Sequence, residues 1–318
     1  MIQFKGAYTA LITPMRENGR GVVEIDYDGF RRLINFQLEG GIDGLVPLGT
    51  TGESPVLERD EQDRLIQIAL EVVKGRVPVI IGTGSNSTKH TIENTKRAKA
   101  LGADAALVVT PYYNKPNDEG LIRHVEAVAH EADFPIILYN IASRTGKNIT
   151  APVMERLSRI PHIVGVKEAS GDVNQMGDII RDVAGARKAE GKAFAVFSGD
   201  DALTLPLLAL GGDGIISVIS NLVPGKVAAL VRACGAGNFE EGRKIHYELL
   251  PLIKAAFIET NPIPIKTALS WVGLPGGPLR LPLGPLDQQH EAPLRAALAG
   301  LGMEIRAVGI DPATVKVL

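Results

Sequence analysis

Along this chain, short and nearly continuous apolar runs alternate with longer stretches in which apolar residues return every three or four positions. The runs occupy 7–13, 44–47, 79–82, 105–109, 136–139, 163–167, 193–197 and 214–218. Each is brief, rich in Val, Ile or Ala, and lacks the in–out alternation of a strand with one wet face. That continuity predicts strands buried on both faces, as in a parallel sheet. The stretches between them predict amphipathic helices over 26–40, 58–74, 87–101, 119–132, 151–157, 173–183 and 202–210. In the first, Tyr27, Phe30, Leu33, Ile34 and Leu38 form one stripe that ends at a Gly pair. The third opens on hydroxyl residues suited to an N-cap and stops before Gly102.

Eight strands alternating with helices favour a closed (β/α)8 barrel, a TIM barrel, over an open doubly wound sheet, which usually has fewer strands. From about residue 238 the strand signal vanishes. Helical spacing over 239–260, 264–272 and 291–298, broken by the Pro/Gly-rich GLPGGPLRLPLGPL, predicts a C-terminal helical appendage. The chain thus divides into a barrel at 1–237, a helical region at 238–300 and a tail at 301–318 that carries no clear pattern.

Composition changes this picture mainly by exclusion. A net charge of −2 over 318 residues leaves no basic footprint for nucleic acid. No apolar stretch reaches membrane-spanning length, and LTLPLLALGG is cut by Pro206 and by glycines. The opening MIQFKGAYTALITPM lacks the basic leader and long apolar run of a signal peptide. A single cysteine, Cys234, cannot form an intrachain disulfide, so a cytoplasmic protein is expected.

In closed barrels of this kind the chemistry sits where strands end and the following loops begin. Polar residues gather there: GTTGES at 49–54, TPYYNKP at 110–116, YN at 139–140 running into IASRTG, Lys167, and SGDD at 198–201. No metal set is among them. The histidines at 90, 124, 130, 162, 246 and 290 lie mostly away from these ends, and none has HExxH or Cys/His spacing. Ser–His–Asp hydrolysis lacks its histidine for the same reason. GTGSNS at 82–87 matches a dinucleotide loop only loosely, without the third glycine or a suitably spaced acid.

What remains is a lysine, tyrosines, an arginine and a Thr–Thr turn. An apolar barrel interior disfavours the charged amine and so lowers the pKa of Lys167. A neutral amine attacks a ketone to give a Schiff base, whose protonated form is an electron sink for the neighbouring carbon. A tyrosine beside it suits proton relay. Arg144 suits bidentate binding of a carboxylate, and the backbone of the Gly–Thr–Thr turn can cradle a second. The chemistry implied is that of a class I aldolase. Each residue also has a plainer reading. Lys167 can be a solvated strand end, Tyr139 a core tyrosine, and Tyr112 and Tyr113 interface aromatics. Thr50 and Thr51 can be ordinary turn residues, and Arg144 a solvated loop arginine. Glu53 and Asp200 read as helix caps, and Asn114 and Asn140 as turn formers.

GTTGES, PYYN, YN followed by SRTG, GVKEASG, SGDD and GIISV, in this order and spacing, resemble the dihydrodipicolinate synthase/N-acetylneuraminate lyase family from about Phe4 to Leu298. The resemblance implies a (β/α)8 barrel with a C-terminal helical region and a Schiff base between lysine and pyruvate, with no metal or nucleotide cofactor. It also implies a homo-oligomer, commonly a tetramer built as a dimer of dimers. Position by position, it makes Lys167 the Schiff-base lysine and Tyr139 the proton relay beside the imine. Thr50 and Tyr113 become the other members of a hydroxyl relay, with Tyr113 reaching in from a neighbouring subunit. Thr51 is matched to a backbone contact for the pyruvate carboxylate, and Ile216 to the residue whose carbonyl faces the lysine. Arg144 is matched to the arginine that binds the carboxylate of aspartate semialdehyde.

That arginine and the paired tyrosines favour the synthase branch, which condenses pyruvate with aspartate semialdehyde on the route to lysine and diaminopimelate. Two alternatives stay open. One is a related lyase, aldolase or dehydratase acting on a sugar-derived keto acid. The other is a catalytically silent relative that binds keto acids. Where lysine-inhibited members have their feedback site, Ser54, Asn86 and Tyr112 match. Arg59, Gln62 and His90 depart from the pattern, so weak or absent inhibition by lysine is expected.

Overall fold

A computed structural model of the protein describes residues 3–19 and 21–305. Residues 306–318 of the tail lie outside the described residues. The strands are β1 (Gly6–Ala10), β2 (Met15–Glu17), β3 (Val23–Ile25), β4 (Gly44–Val46), β5 (Ile80–Gly82), β6 (Ala105–Val109), β7 (Ile136–Asn140), β8 (Ile163–Glu168), β9 (Ala195–Ser198) and β10 (Gly214–Ser217). All eight apolar runs are among them. Those eight pair in parallel in the order β4-β1-β10-β9-β8-β7-β6-β5. A parallel bridge between Leu45 and Val79 brings the two ends of that order together, giving a barrel. The other two, β2 and β3, form a short antiparallel hairpin between β1 and β4 that was not expected. Its mixed charged and apolar residues carry too little pattern to announce it.

The barrel strands read as unbroken apolar runs because both of their faces are buried. Inside, Tyr8, Val46, Ile80, Leu107, Ile137, Phe197 and Ile216 form one cluster, with Tyr8 and Phe197 in edge-to-face contact at 5.1 Å between centroids. Outside, the same strands pack on the helices. The helix Arg59–Val73 opens with a capping box between Glu58 and Glu61, and Thr88–Leu101 opens on Ser87. The strand starts are tied by loop carboxylates: Asp43, Asp104 and Asp213 accept from the N–H groups of Ala7, Val79 and Val196. That stiffens one end of the barrel and leaves the other to the site.

Two helices differ from expectation and two were missed, one of them the single turn Ala142–Thr145. The segment expected at 173–183 continues to Ala189 through a wider, π-type stretch at Ile179–Ala184. The 239–260 segment stops at Ala256, where Phe257 leaves helical geometry at φ −121°. Pro224–Gly235, with Pro at its first turn, is the helix after β10. The C-terminal helices Phe239–Ala256, Ile263–Trp271 and Gln288–Gly300 share a core with the barrel. Leu11, Ile12 and Val223 belong to the same cluster as Leu249, Leu252, Leu269 and Leu294. The start of Ile263–Trp271 reaches the end of the barrel where the motifs gather.

Candidate active site

β7 and β8 pair in a register that sets Tyr139 directly beside Lys167. Both side chains point into the barrel mouth and are almost completely buried. The Lys167 nitrogen lies over the Tyr139 ring, 4.3 Å from its centroid. The next strand supplies room: a Cβ on Gly199 would stand 3.1 Å from Cγ and Cε of Lys167 and 2.7 Å from the Ala169 Cβ. Burial lowers the Lys167 amine to about 8, with Asp201 pulling upward and Arg144 pushing down. Relative to an ordinary amine, that raises the neutral fraction at physiological pH by roughly two orders of magnitude. Burial raises the Tyr139 phenol to about 12, so it keeps its proton at that pH.

A narrow cleft opens over this pair. Thr50, Thr51 and Arg144 line it together with Lys167 and Tyr139, as do Val218, Phe257 and Asn261. Thr50 and Thr51 sit in the single tight turn Thr50–Gly52, which is pinned by a hydrogen bond from the Thr13 hydroxyl to the Gly52 carbonyl (2.7 Å). Arg144 stands on the short helical turn Ala142–Thr145 and donates to the Asn261 carbonyl at 3.2 Å. Ile216 is buried in the barrel interior on β10, and Val218, two residues on, is the member of that segment that lines the cleft. Tyr113 does not join the group. It is 90% exposed and has a φ of 70°, unusual for a bulky residue.

A wider cavity of about 220 Å³ adjoins the first and shares Gly49, Thr50, Leu107, Tyr139, Ile141 and Arg144 with it. Ser54 and Tyr112 line this second space. Asn86 is not among its lining residues; its carbonyl accepts from the Asn114 amide at 2.8 Å. Nearby, the Gln62 amide donates to the carbonyls of Ser54 and Leu57, and its oxygen accepts from Arg97. Arg59 lies 3.8 Å from Glu93, and His90 is exposed.

Four polar residues have roles the sequence reading did not give them. Glu53 stands at the expected cap position between two tight turns, but its side chain caps neither: it is buried and its Oε1 lies 2.6 Å from the Lys266 nitrogen. Asn140 is no turn former. It ends β7 and turns away from the cleft to donate to Glu168, which also accepts from the Ser170 N–H and from Gln175. Asp201, next to the cap Asp200, is buried behind the lysine; it accepts from the Ser217 hydroxyl and the Val218 N–H, and burial pushes it up to about 6. Asn261 was missed altogether. Its amide donates to the Thr51 hydroxyl at 2.9 Å, while its side-chain oxygen is buried without a partner. Only its distance in sequence from the barrel motifs hid it.

Among the described residues, one group of side chains could converge on a metal: Glu259, Asp287 and His290, in the helical region. Its acceptor is already engaged, since Glu259 Oε1 accepts from the Asp287 N–H and lies 2.6 Å from His290 Nδ1.

The dihydrodipicolinate synthetase family pattern matches residues 3–300. The chain is 54% identical over 300 residues to a 4-hydroxy-tetrahydrodipicolinate synthase of Protochlamydia amoebophila, covering 94% of this chain and 97% of that one. To the enzyme of the same name from Nitratidesulfovibrio vulgaris (strain DP4) it is 50% identical, covering 95% and 100%. The crystal structure of dihydrodipicolinate synthase from Aquifex aeolicus superposes with a TM-score of 0.89 at 43% identity, covering 96% of this chain and all of that one.

Proposed function

The chain belongs to the dihydrodipicolinate synthetase family, and we propose that Lys167 is the amine on which it captures pyruvate. Its activity is that of a 4-hydroxy-tetrahydrodipicolinate synthase, a lyase that joins pyruvate to aspartate semialdehyde on the route to lysine and diaminopimelate. The observation that carries the assignment of Lys167 is a buried amine with a lowered pKa lying over a buried phenol.

The neutral Lys167 nitrogen attacks the keto carbon of pyruvate. One proton moves from nitrogen to the former keto oxygen and a second reaches it from solvent, relayed through the Tyr139 hydroxyl; water then leaves and a protonated imine remains. Loss of a methyl proton, relayed through Tyr139 and Thr50, gives an enamine whose terminal carbon attacks the aldehyde carbon of the second substrate. The new alkoxide takes a proton back through the same hydroxyls. The amine carried by the semialdehyde then displaces Lys167 from the imine carbon, which closes the ring and frees the enzyme. The Thr51 backbone holds the pyruvate carboxylate, the Ile216 carbonyl faces the amine, and Arg144 takes the semialdehyde carboxylate bidentately. The imine is itself the electron sink, so the steps as written require no metal or nucleotide.

The exposed, strained Tyr113 supports self-association. In a homo-oligomer, a dimer of dimers, it would enter the wider cavity of a neighbour and complete the relay of Thr50 and Tyr139. Ser54, Asn86 and Tyr112 are the lysine-binding positions in this reading, with feedback weakened by the cation of Arg59 and by His90. No described helix is long and apolar enough to cross a membrane. A cytoplasmic location fits two small metabolites as substrates.

A coupled assay with pyruvate and a panel of aldehydes tests the reading. Aspartate semialdehyde is expected to be the preferred partner over sugar-derived aldehydes, and millimolar lysine to inhibit weakly. Arg144→Ala should lower kcat/KM for the semialdehyde by about two orders of magnitude while pyruvate still forms its imine. Unchanged semialdehyde turnover in that variant would remove the synthase assignment of Arg144.

A further inference from the structure

The Thr50–Gly52 turn is held from the C-terminal helical region at two points. The first is the hydrogen bond from the Asn261 amide to the Thr51 hydroxyl, 2.9 Å. The second is Glu53, the residue that closes the turn. Its N–H donates to the Thr50 carbonyl, and its backbone is left-handed at φ 54°, a conformation that disfavours a side chain. That backbone turns the Glu53 carboxylate inward. Oε1 accepts from the Lys266 ammonium at 2.6 Å and Oε2 from the Arg280 N–H at 3.1 Å. Lys266, on the helix Ile263–Trp271, also donates to the Pro278 carbonyl at 2.7 Å. Neither side chain of the pair has any exposed surface. Beyond the turn, Arg280 grips Glu61 with two bonds of 2.6 Å and donates to the Val56 carbonyl.

Two ions fully removed from water are a poor route to stability. A well-packed apolar pair of the same volume commonly does as well or better. What an ion pair adds is a fixed geometry, and here the fixed object is the backbone that follows Thr50 and Thr51. A strained residue and a desolvated pair concentrated at one turn beside the cleft is the arrangement expected where placement matters more than stability.

We infer that the buried Glu53–Lys266 pair is a positioning device for the pyruvate-binding turn, so that the helical region is a working part of the active site. This rests on the assignment of Thr51 to the pyruvate carboxylate. Neither Glu53 nor Lys266 touches substrate. They act by setting where the Thr51 backbone and the Thr50 hydroxyl stand relative to Lys167.

The test is steady-state kinetics and thermal melting of the double variant Glu53→Gln/Lys266→Met, with Glu53→Gln alone as the milder change. The double variant removes both charges together, so neither is left buried alone, and the introduced amide oxygen can still accept from the Arg280 N–H. It is expected to fold and to form the pyruvate adduct at saturating pyruvate. KM for pyruvate should rise on the order of tenfold or more, while KM for the semialdehyde stays within about twofold. Glu53→Gln should move the pyruvate KM in the same direction by less. Wild-type pyruvate KM in the folded double variant would overturn the inference. So would a loss confined to kcat that tracks the fraction of unfolded protein. If only the single variant folds, an unchanged pyruvate KM in it is equally fatal. Borohydride trapping of pyruvate on the wild-type enzyme is the separate check on the Schiff-base reading, since its failure would indict Lys167 and not the pair.

Discussion

Two lysines among the described residues are buried, one in the cleft lined by the Thr50–Gly52 turn and the other on Glu53 at the end of that turn. Lys167, in the barrel mouth, lies over an aromatic ring and forms no ion pair among the described residues; Asp201 acts on it through space. Lys266, in the helical region, is in direct contact with the Glu53 carboxylate and a carbonyl. Burial pushes both amines down, but at Lys266 Glu53 in contact pushes back. The contrast teaches what would separate the proposed nucleophile from a structural charge. Desolvation is common to both, and the difference is whether a counter-ion is within hydrogen-bond reach.

The sharpest way to break that comparison is to replace each amine by the same apolar side chain. Lys266→Met strands Glu53 without its cation, and the expected loss is about 3–5 kcal/mol of stability. Lys167→Met removes a desolvated amine with no contact counter-ion. Its thermal midpoint should equal or exceed that of the wild type, while turnover falls to background. Melting curves and a coupled assay on both variants decide the matter. Equal destabilisation by the two changes would mean that Lys167 is held as a structural charge after all.

The two regions also differed in how far they could be read beforehand. All eight barrel strands were legible because strands covered on both faces leave continuous apolar runs, and Lys167 and Tyr139 stand at the ends of two of them. The hairpin Met15–Glu17 with Val23–Ile25 was not, since three-residue strands carry no usable period. The cap reading of Glu53 caught its place at the end of a turn and missed the partner of its side chain, which lies 213 residues away. Asn261, joined to Thr51 across 210 residues, was invisible for the same reason. Local pattern reports local structure and burial; it cannot report which distant polar group meets which.

A smaller effect refines the electrostatic half of the comparison. The Asp201 carboxylate raises the Lys167 pKa and Arg144 lowers it, against the larger downward effect of burial. Asp201→Asn deletes the stabilising anion, so the amine should lose its proton at lower pH. The inflection in the rate of imine formation, expected near pH 8 in the wild type, should therefore move to lower pH in Asp201→Asn. Stopped-flow measurement of the imine across pH checks the sign. A shift upward would mean that the carboxylate acts mainly by holding Ser217 and Val218 in place.

The most direct test of the whole account is borohydride reduction of the enzyme with pyruvate, followed by peptide mass spectrometry across pH. A single adduct is expected on the peptide that carries Lys167, with its rate of formation rising with pH and levelling near 8 as the amine becomes neutral. An adduct on another lysine, Lys266 included, or none at all, would contradict the claim that burial without a contact counter-ion makes Lys167 the nucleophile.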